Sequence, residues 1–323
     1  MDLTIAVTGA TGFVGKAVLP RLLAAGHGLR VLVRDPTKHD FPSAVKIVPG
    51  GLDDASALFK LVAGADVVLH MAGAISAVNR AGFFHTNTAG TEALVMAAQA
   101  GGVKRFVLLS SLAARRPEIS TYAASKRAAE DVVAGVAKMM QVLVLRPAAV
   151  YGPRDTATLP LLKSLMARIA ILPGRAFNRF SLIHVDDLAQ ICVAAVASSI
   201  TGTREVDDAS GGHTWGELAD ITRANFNRPA KLIFMPFAVA FAIGASGSLA
   251  TRILRRPMMV SFDKMRELYE PNWLIEGENW PRENPVSLFD GLPETIRWYQ
   301  ANGMLPPLDK GHRSPGAEGP NSP

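Results

Sequence analysis

Along the first half of the chain, short runs of apolar residues alternate with longer stretches in which apolar positions recur every three or four residues. The short runs predict strands at Thr4–Thr8, Arg30–Val33, Lys46–Val48, Val67–His70, Arg105–Leu109 and Val142–Leu145. The longer stretches predict helices at Gly15–Ala25, Asp54–Leu61, Asn87–Ala100 and Ser120–Ala137. Strands alternating with helices form βαβ units, which build a parallel sheet in an α/β fold. Val67-Val68-Leu69 and Phe106-Val107-Leu108-Leu109 contain no polar position, as expected of strands covered by helices on both faces. The predicted architecture is a doubly wound parallel sheet.

Past Tyr151 the rhythm changes. Tyr151-Gly152-Pro153-Arg154-Asp155 reads as a loop, and Leu159–Ile169 as a helix. Phe180–Ser199 and a seventh strand at Arg204–Asp207 should return to the sheet. The predicted organisation is a first domain over residues 1–150, rejoined by 180–209, with a smaller, discontinuous C-terminal cap making up most of 151–305. Residues 306–323 are rich in Pro, Gly and Ser and predict a disordered tail.

One segment departs from this pattern. Leu232 to Thr251 holds no charged residue, and Arg252, Arg255 and Arg256 follow it. Its length suits a membrane span, but Pro236, Gly244, Gly247 and two serines dilute it. It is read as an apolar cap helix lining a pocket or an oligomer contact, with peripheral membrane contact through 232–256 as the alternative.

Composition narrows the function classes. Hydrophobic residues make up 49% and charged residues 19% of the 323, which suits a packed enzyme and excludes an intrinsically disordered chain. The single cysteine, Cys192, excludes an intramolecular disulfide framework, and its run Ile191-Cys192-Val193 reads as core. No His, Asp or Glu cluster has metal-ligand spacing, so no metal is expected. The net charge is +6, but Lys and Arg are scattered with no basic stripe interleaved with aromatics, so nucleic acid is not an expected partner. No basic leader precedes Leu3-Thr4-Ile5-Ala6-Val7, so a cytoplasmic location is expected, with membrane association as the variant.

The first predicted strand runs into Thr8-Gly9-Ala10-Thr11-Gly12-Phe13-Val14-Gly15 and then into a helix. Glycines at this spacing allow a tight turn, a close approach of backbone to a pyrophosphate, and close packing of helix on strand. The anion then sits at the positive end of the helix.

In this form the sequence resembles the extended branch of the short-chain dehydrogenase/reductase superfamily. Further matches run through most of the chain: Leu69-His70-Met71-Ala72-Gly73, Asn87, Leu109-Ser110-Ser111, Tyr122-Ala123-Ala124-Ser125-Lys126, Arg146-Pro147 through Tyr151-Gly152-Pro153, His184-Val185-Asp186-Asp187, and Gly291-Leu292 with Thr295–Tyr299. The resemblance implies a Rossmann domain that binds a nicotinamide dinucleotide through Gly9, Thr11, Gly12, Phe13, Val14, Gly15, Leu52, Ala72, Gly73, Asn87, Tyr122 and Lys126. NAD-preferring relatives carry an acid where this chain has Arg34. A cation there suits a ribose 2′-phosphate, with Lys38 as a second charge, so NADP(H) is preferred and NAD(H) is the alternative. Relatives also carry an acid after the glycine that follows the third strand. Here that position is Gly51, leaving Leu52 to pack on the adenine.

Tyr122 and Lys126 are spaced i, i+4 and share one helix face. A free phenol titrates near ~10, and a lysine ammonium beside it should lower that value. The resemblance implies that Tyr122 donates a proton to a carbonyl positioned by Ser111, with Ser110 as fallback, while Lys126 holds the nicotinamide ribose and Asn87 supports the network. Only ten residues separate Ser111 from Tyr122, as in atypical members such as the nicotinamide-binding accessory subunit of respiratory complex I. His184 and His70 are read as structural. The expected function is an NADP(H)-dependent oxidoreductase acting on the carbonyl or secondary alcohol of an apolar small molecule. Apolar walls are expected from Leu232–Ile243 and Pro257-Met258-Met259-Val260, and a homodimer is the expectation by analogy. The alternatives are a nucleotide-sugar epimerase or dehydratase, with Arg175, Arg179 and Arg266 as candidate phosphate contacts, and a non-catalytic nucleotide-binding assembly protein.

Overall fold

The computed structural model describes residues 2–226, 231–256, 260–280 and 284–307. The tail expected at 306–323 therefore lies outside the described residues from 308 onward, as do Pro257-Met258-Met259.

The chain begins with β1 (Thr4–Thr8), α1 (Phe13–Ala24), β2 (Gly28–Val33), β3 (Val45–Pro49), α2 (Ala55–Val62), β4 (Val67–His70) and α3 (Arg80–Phe84). It continues with α4 (Gly90–Ala100), β5 (Arg105–Leu109), α5 (Thr121–Ala134), β6 (Gln141–Pro147), β7 (Ala149–Tyr151), α6 (Leu159–Leu165), β8 (Ile169–Leu172) and β9 (Arg179–Phe180). The remainder holds β10 (Leu182–His184), α7 (Val185–Ala197), β11 (Gly202–Val206), α8 (Trp215–Phe226), β12 (Lys231–Phe234), α9 (Phe237–Leu254), α10 (Phe262–Tyr269), β13 (Asn272–Trp273) and α11 (Leu288–Ala301).

Seven strands form one parallel sheet in the order β11-β6-β5-β4-β1-β2-β3. Successive strand side chains point to opposite faces, and both faces are apolar. Ile5, Val7, Leu69, Leu143 and Leu145 pack with Val18 and Leu22 of α1 and with Ile191 and Cys192 of α7. Ala6, Val68, Phe106, Leu108 and Val144 face the other way, onto Leu58 and Leu61 of α2, Leu94 of α4 and Val133 of α5. This is the doubly wound Rossmann arrangement, and it explains why β4 and β5 are apolar apart from His70 at the end of one and Arg105 at the start of the other. Cys192 is fully buried in the first of these layers, and burial pushes its thiol up to about 12, which leaves it inert.

A third core, formed by Leu162, Leu165, Leu172, Trp215, Ile221, Leu292, Ile296 and Tyr299 among others, holds the cap. The predicted helix at Leu159–Ile169 ends at Leu165, and Ile169 instead opens β8. Ala170 and Leu172 are buried while Ile169 and Ile171 are exposed, a period-two pattern that pairing with β12 selects over a helix. The helix expected at Asn87–Ala100 begins earlier, because a π-turn over His85–Ala89 joins α3 to α4 and carries Asn87 inward. Ser120 caps α5, which stops at Ala134, three residues before the expected end.

Candidate active site

The C-terminal ends of β1, β4 and β5 converge on one edge of the sheet, where ligands bind in this topology. At the end of β1, Gly9 adopts φ +78°, and a Cβ on it would lie 2.6 Å from the carbonyl carbon of Met71 and the amide of Ala72. A side chain on Gly15 would collide with the Gly9 carbonyl, so α1 can seat on the loop only with glycine there. Gly12 is exposed, and a Cβ on it would meet nothing nearer than the Gly9 carbonyl at 3.3 Å. Gly12 is also the N-cap of α1 and offers no side-chain hydrogen bond, so the amides of Phe13, Val14 and Gly15 lack a capping partner. By contrast, Asp54, Ser120, Ser261 and Ser287 cap α2, α5, α10 and α11 with their own side chains. An uncapped positive helix end beside an open glycine loop, flanked by Thr11, fits a pyrophosphate.

Across the loop, Thr8 Oγ1 accepts from the Ala72 amide at 3.3 Å and pairs with His70 Nδ1 at 2.6 Å. His70 Nε2 lies 2.9 Å from Thr91 Oγ1. Burial, together with the nearby Lys126 charge, drives this imidazole down to about 3, so it stays neutral and ties β1, β4 and α4 together.

At the end of β2, Arg34 is exposed and makes no hydrogen bond or ion pair with any described residue. Lys38, expected as a second phosphate ligand, is instead drawn to Asp35 at 2.8 Å. A side chain at Gly51 would collide with Asp53 Oδ1, so the glycine makes room for a carboxylate that reaches back from two residues along the chain. Leu52 is half-buried against the start of α4, where a Cβ on Gly90 would lie 2.9 Å from its Cδ1.

The short interval between Ser111 and Tyr122 is filled by a 3-10 turn over Leu112–Arg115 and by buried Ile119 and Ser120. The turn sets Ser111, whose Oγ accepts from the Ala113 amide at 3.2 Å, near enough to the Tyr122 phenol to bear on its titration. Lys126, one turn after Tyr122 on α5, is buried and donates from Nζ to the Leu109 carbonyl at 2.7 Å. Burial lowers its ammonium to about 8, with Glu130 opposing the shift. Gly73 faces both Lys126 Nζ and Asn87 Oδ1, at 3.6 and 3.3 Å from where a Cβ would stand. Asn87 holds the Ala74 backbone with two hydrogen bonds, 2.7 Å from its amide and 3.1 Å to its carbonyl, and donates to Ser125 Oγ at 2.9 Å.

The Tyr122 phenol does not follow the expected direction. Loss of solvent pushes it up to about 12, the Ser111 hydroxyl lowers it in part, and the Glu267 charge raises it further. Lys126 does not offset this, because its ammonium is turned to the Leu109 carbonyl. Ser110 is no substitute for Ser111, since its hydroxyl is committed to Glu130, which Arg146 also holds at 2.6 Å.

Sequence reasoning missed Phe83, whose ring leans on Tyr122 at 6.2 Å, and two acids of α10. Asp263 Oδ2 accepts from the Thr121 amide at 2.8 Å, and Glu267 Oε1 accepts from Ser120 Oγ at 2.5 Å. Their i, i+4 spacing was visible, but their partners lie more than 140 residues away and leave no local signal. His184 caps α7 by accepting from the Asp186 amide at 3.4 Å and stacks edge-on with Tyr151. Arg175 lies over Phe177, Arg179 binds the Gly211 carbonyl, and Arg266 binds the Glu118 carbonyl.

The family model described as "NAD dependent epimerase/dehydratase family" matches residues 5–206. A ceramide reductase of Caulobacter vibrioides is 38% identical over 94% of this chain and 96% of its own. Subunit 9 of the mitochondrial NADH dehydrogenase [ubiquinone] 1 alpha subcomplex of Arabidopsis thaliana is 27% identical over 74% of this chain and 62% of its own. Among solved structures, the UDP-N-acetylglucosamine 4-epimerase of Methanobrevibacter ruminantium superposes with a TM-score of 0.73 at 18% identity, covering 93% of this chain and 99% of that one, a likeness of fold alone. Glycine loop, parallel sheet and these matches agree: the chain belongs to the NAD dependent epimerase/dehydratase family and is an NAD(P)-dependent dehydrogenase/reductase of the extended short-chain type.

Proposed function

We propose that the chain is an NADP(H)-dependent reductase that converts a ketone on a ceramide-type lipid to the secondary alcohol. End-to-end similarity to a ceramide reductase carries this reading. Supporting observations are the unpartnered Arg34 at the end of β2, suited to a 2′-phosphate, and the placement of Ser111 near the Tyr122 phenol.

The dinucleotide, when bound, supplies the hydride. The chain's own residues handle the proton. Tyr122 Oη donates to the carbonyl oxygen as the C–O double bond becomes a C–O–H, and Ser111 Oγ holds that oxygen in place. A phenol pushed up to about 12 is protonated at neutral pH, so the site holds the proton that reduction of a carbonyl requires. Lys126 and Asn87, both abutting Gly73, line the place of the nicotinamide ribose.

The test is turnover of a detergent-solubilised keto form of a ceramide with each nucleotide. NADPH should outperform NADH by about tenfold or more in kcat/KM, and Arg34→Glu should reverse that order, as expected for a single charge contact to a phosphate. Tyr122→Phe should lower kcat by ~100-fold or more, the usual scale of a lost general acid. If neither nucleotide is consumed and denatured protein releases stoichiometric NAD, the dinucleotide is a recycled captive, and the epimerase or dehydratase reading replaces this one.

A further inference from the structure

Helix α9 is inverted relative to a helix of a soluble core. The side chains it buries are the small ones, Ala240, Gly244, Gly247 and Thr251, spaced four, three and four residues apart along one stripe. That stripe seats on the segment leading into α10. A Cβ on Gly244 would lie 2.9 Å from Met265 Cγ, a Cβ on Gly247 would collide with the Val260 carbonyl, and Ser248 Oγ accepts from the Phe262 amide at 3.0 Å. Five large apolar side chains point away from the protein, namely Val239, Ile243, Leu249 (58% exposed), Ile253 (71% exposed) and Leu254, while the Phe237 ring stacks on Phe241 and Tyr269. The strand pair leading into the helix repeats the pattern, with Ile169 and Ile171 of β8 and Ile233 of β12 exposed.

Single exposed apolar residues are ordinary, but five facing outward on one helix mark a contact surface. The charges around it say what covers it. From Lys231 to Phe262 the sequence has no acid, and its charged residues are Lys231, Arg252, Arg255 and Arg256. Arg168, also exposed, pairs through its carbonyl with the Lys231 amide at 3.0 Å. Large apolar side chains on a segment whose own charges are all cations, with the neighbouring acids Asp263, Glu267 and Glu270 engaged by Thr121, Ser120 and Arg116, match the interface of an anionic bilayer. The helix is long and apolar enough to span, yet both ends are fixed to one body. β12 pairs with β8 on one side, and α10 binds α5 through Asp263 and Glu267 on the other. A helix held at both ends in this way can meet a bilayer only along its surface.

We infer that α9, with the exposed face of β8 and β12, is a peripheral membrane-docking surface for anionic phospholipid. The surface rests on α9 itself and stands whatever the substrate proves to be. It also lies one helix away from the site, since α10 carries both the α9 seat and the two acids at the N-terminus of the Tyr122 helix.

The experiment is flotation of the full chain with vesicles of phosphatidylglycerol and phosphatidylethanolamine, and separately with phosphatidylcholine alone. The expected result is salt-sensitive binding to the anionic vesicles and little to the neutral ones. Arg252→Gln with Arg255→Gln should cut the partition coefficient by about tenfold, as two cations near an anionic surface contribute. Leu249→Gln with Ile253→Gln should abolish binding while leaving NADPH binding in solution unchanged, because both side chains face outward. Equal binding to neutral vesicles, or no binding with a dimer that the Leu249/Ile253 variant converts to monomer, overturns the inference. So does protein from cells that resists extraction by high salt and alkaline carbonate, which marks a true span. Failure of flotation with intact ketone reduction would sink the docking surface alone and leave the proposed reaction standing.

Discussion

At the scale of single residues, Lys126 shows how the site is built against stability. Its ammonium is buried with one carbonyl partner, and burial lowers it from its ordinary 10.5 to about 8. Below pH 8 the lysine is charged in folded and unfolded chain alike, and the folded state bears the whole desolvation cost. Between 8 and 10.5 the unfolded chain keeps the proton and the folded one releases it, so this cost fades as pH rises. Lys126→Met should therefore raise the stability of the nucleotide-free protein by about 2 kcal/mol at neutral pH, once the orphaned Leu109 carbonyl is allowed for. The advantage should shrink through pH 8 to 10.5 while turnover is lost at every pH, which thermal melts and rate assays across that range would show. The lysine itself was legible from its spacing to Tyr122. The direction of the Tyr122 shift was not, because it depends on where the Lys126 ammonium points and on an acid from a distant helix.

At the scale of elements, the sequence was most informative where one face of a segment decides its form. β1, β4 and β5 match the predicted bounds Thr4–Thr8, Val67–His70 and Arg105–Leu109, since the apolar runs at their centres are covered on both sides and the polar residues fall at their ends. The segment at Leu159–Ile169 misled because its apolar residues serve a helix up to Leu165 and a period-two strand from Ile169, and only pairing with β12 separates them. Helix α10 was the least legible element and bears directly on the candidate site. Asp263 and Glu267 hold the first turn of α5, Arg116 binds Glu270 at 2.7 Å, and together these contacts fix the loop that joins Ser111 to Tyr122. The Glu267 charge also adds to the upward shift of the Tyr122 phenol that burial produces. Glu267→Gln retains an acceptor for Ser120 and removes the charge, so the alkaline limb of the kcat profile should move to lower pH. Glu267→Ala should in addition loosen the loop and raise KM. A profile identical to wild type in the glutamine variant would show that the acid only braces the fold.

At the scale of the whole molecule, the sheet and cap share a buried charge network. Glu205, on the last sheet strand, lies 3.1 Å from Arg115 in the loop after β5 and 3.7 Å from Arg146 on β6. It also accepts from the amides of Glu276 and Gly277 at 2.8 and 3.0 Å, on the segment that follows β13. Removing one partner of a buried pair leaves the others without compensation, so Glu205→Ala should cost ~3 kcal/mol or more. Calorimetry of the wild type should give one transition, and the variant should melt lower or in two steps. A wild type that already melts in two steps would show that sheet and cap unfold independently. The order in which these partners are made adds a constraint. On the ribosome the glycine loop and Tyr122 emerge early, the sheet closes only with β11, and the acids of α10 follow some sixty residues later. A nascent or truncated chain ending before Asp263 lacks both the acids that brace the Tyr122 helix and the amides that hold Glu205, so the proton donor and the edge of the sheet gain their last supports in the same stretch of synthesis.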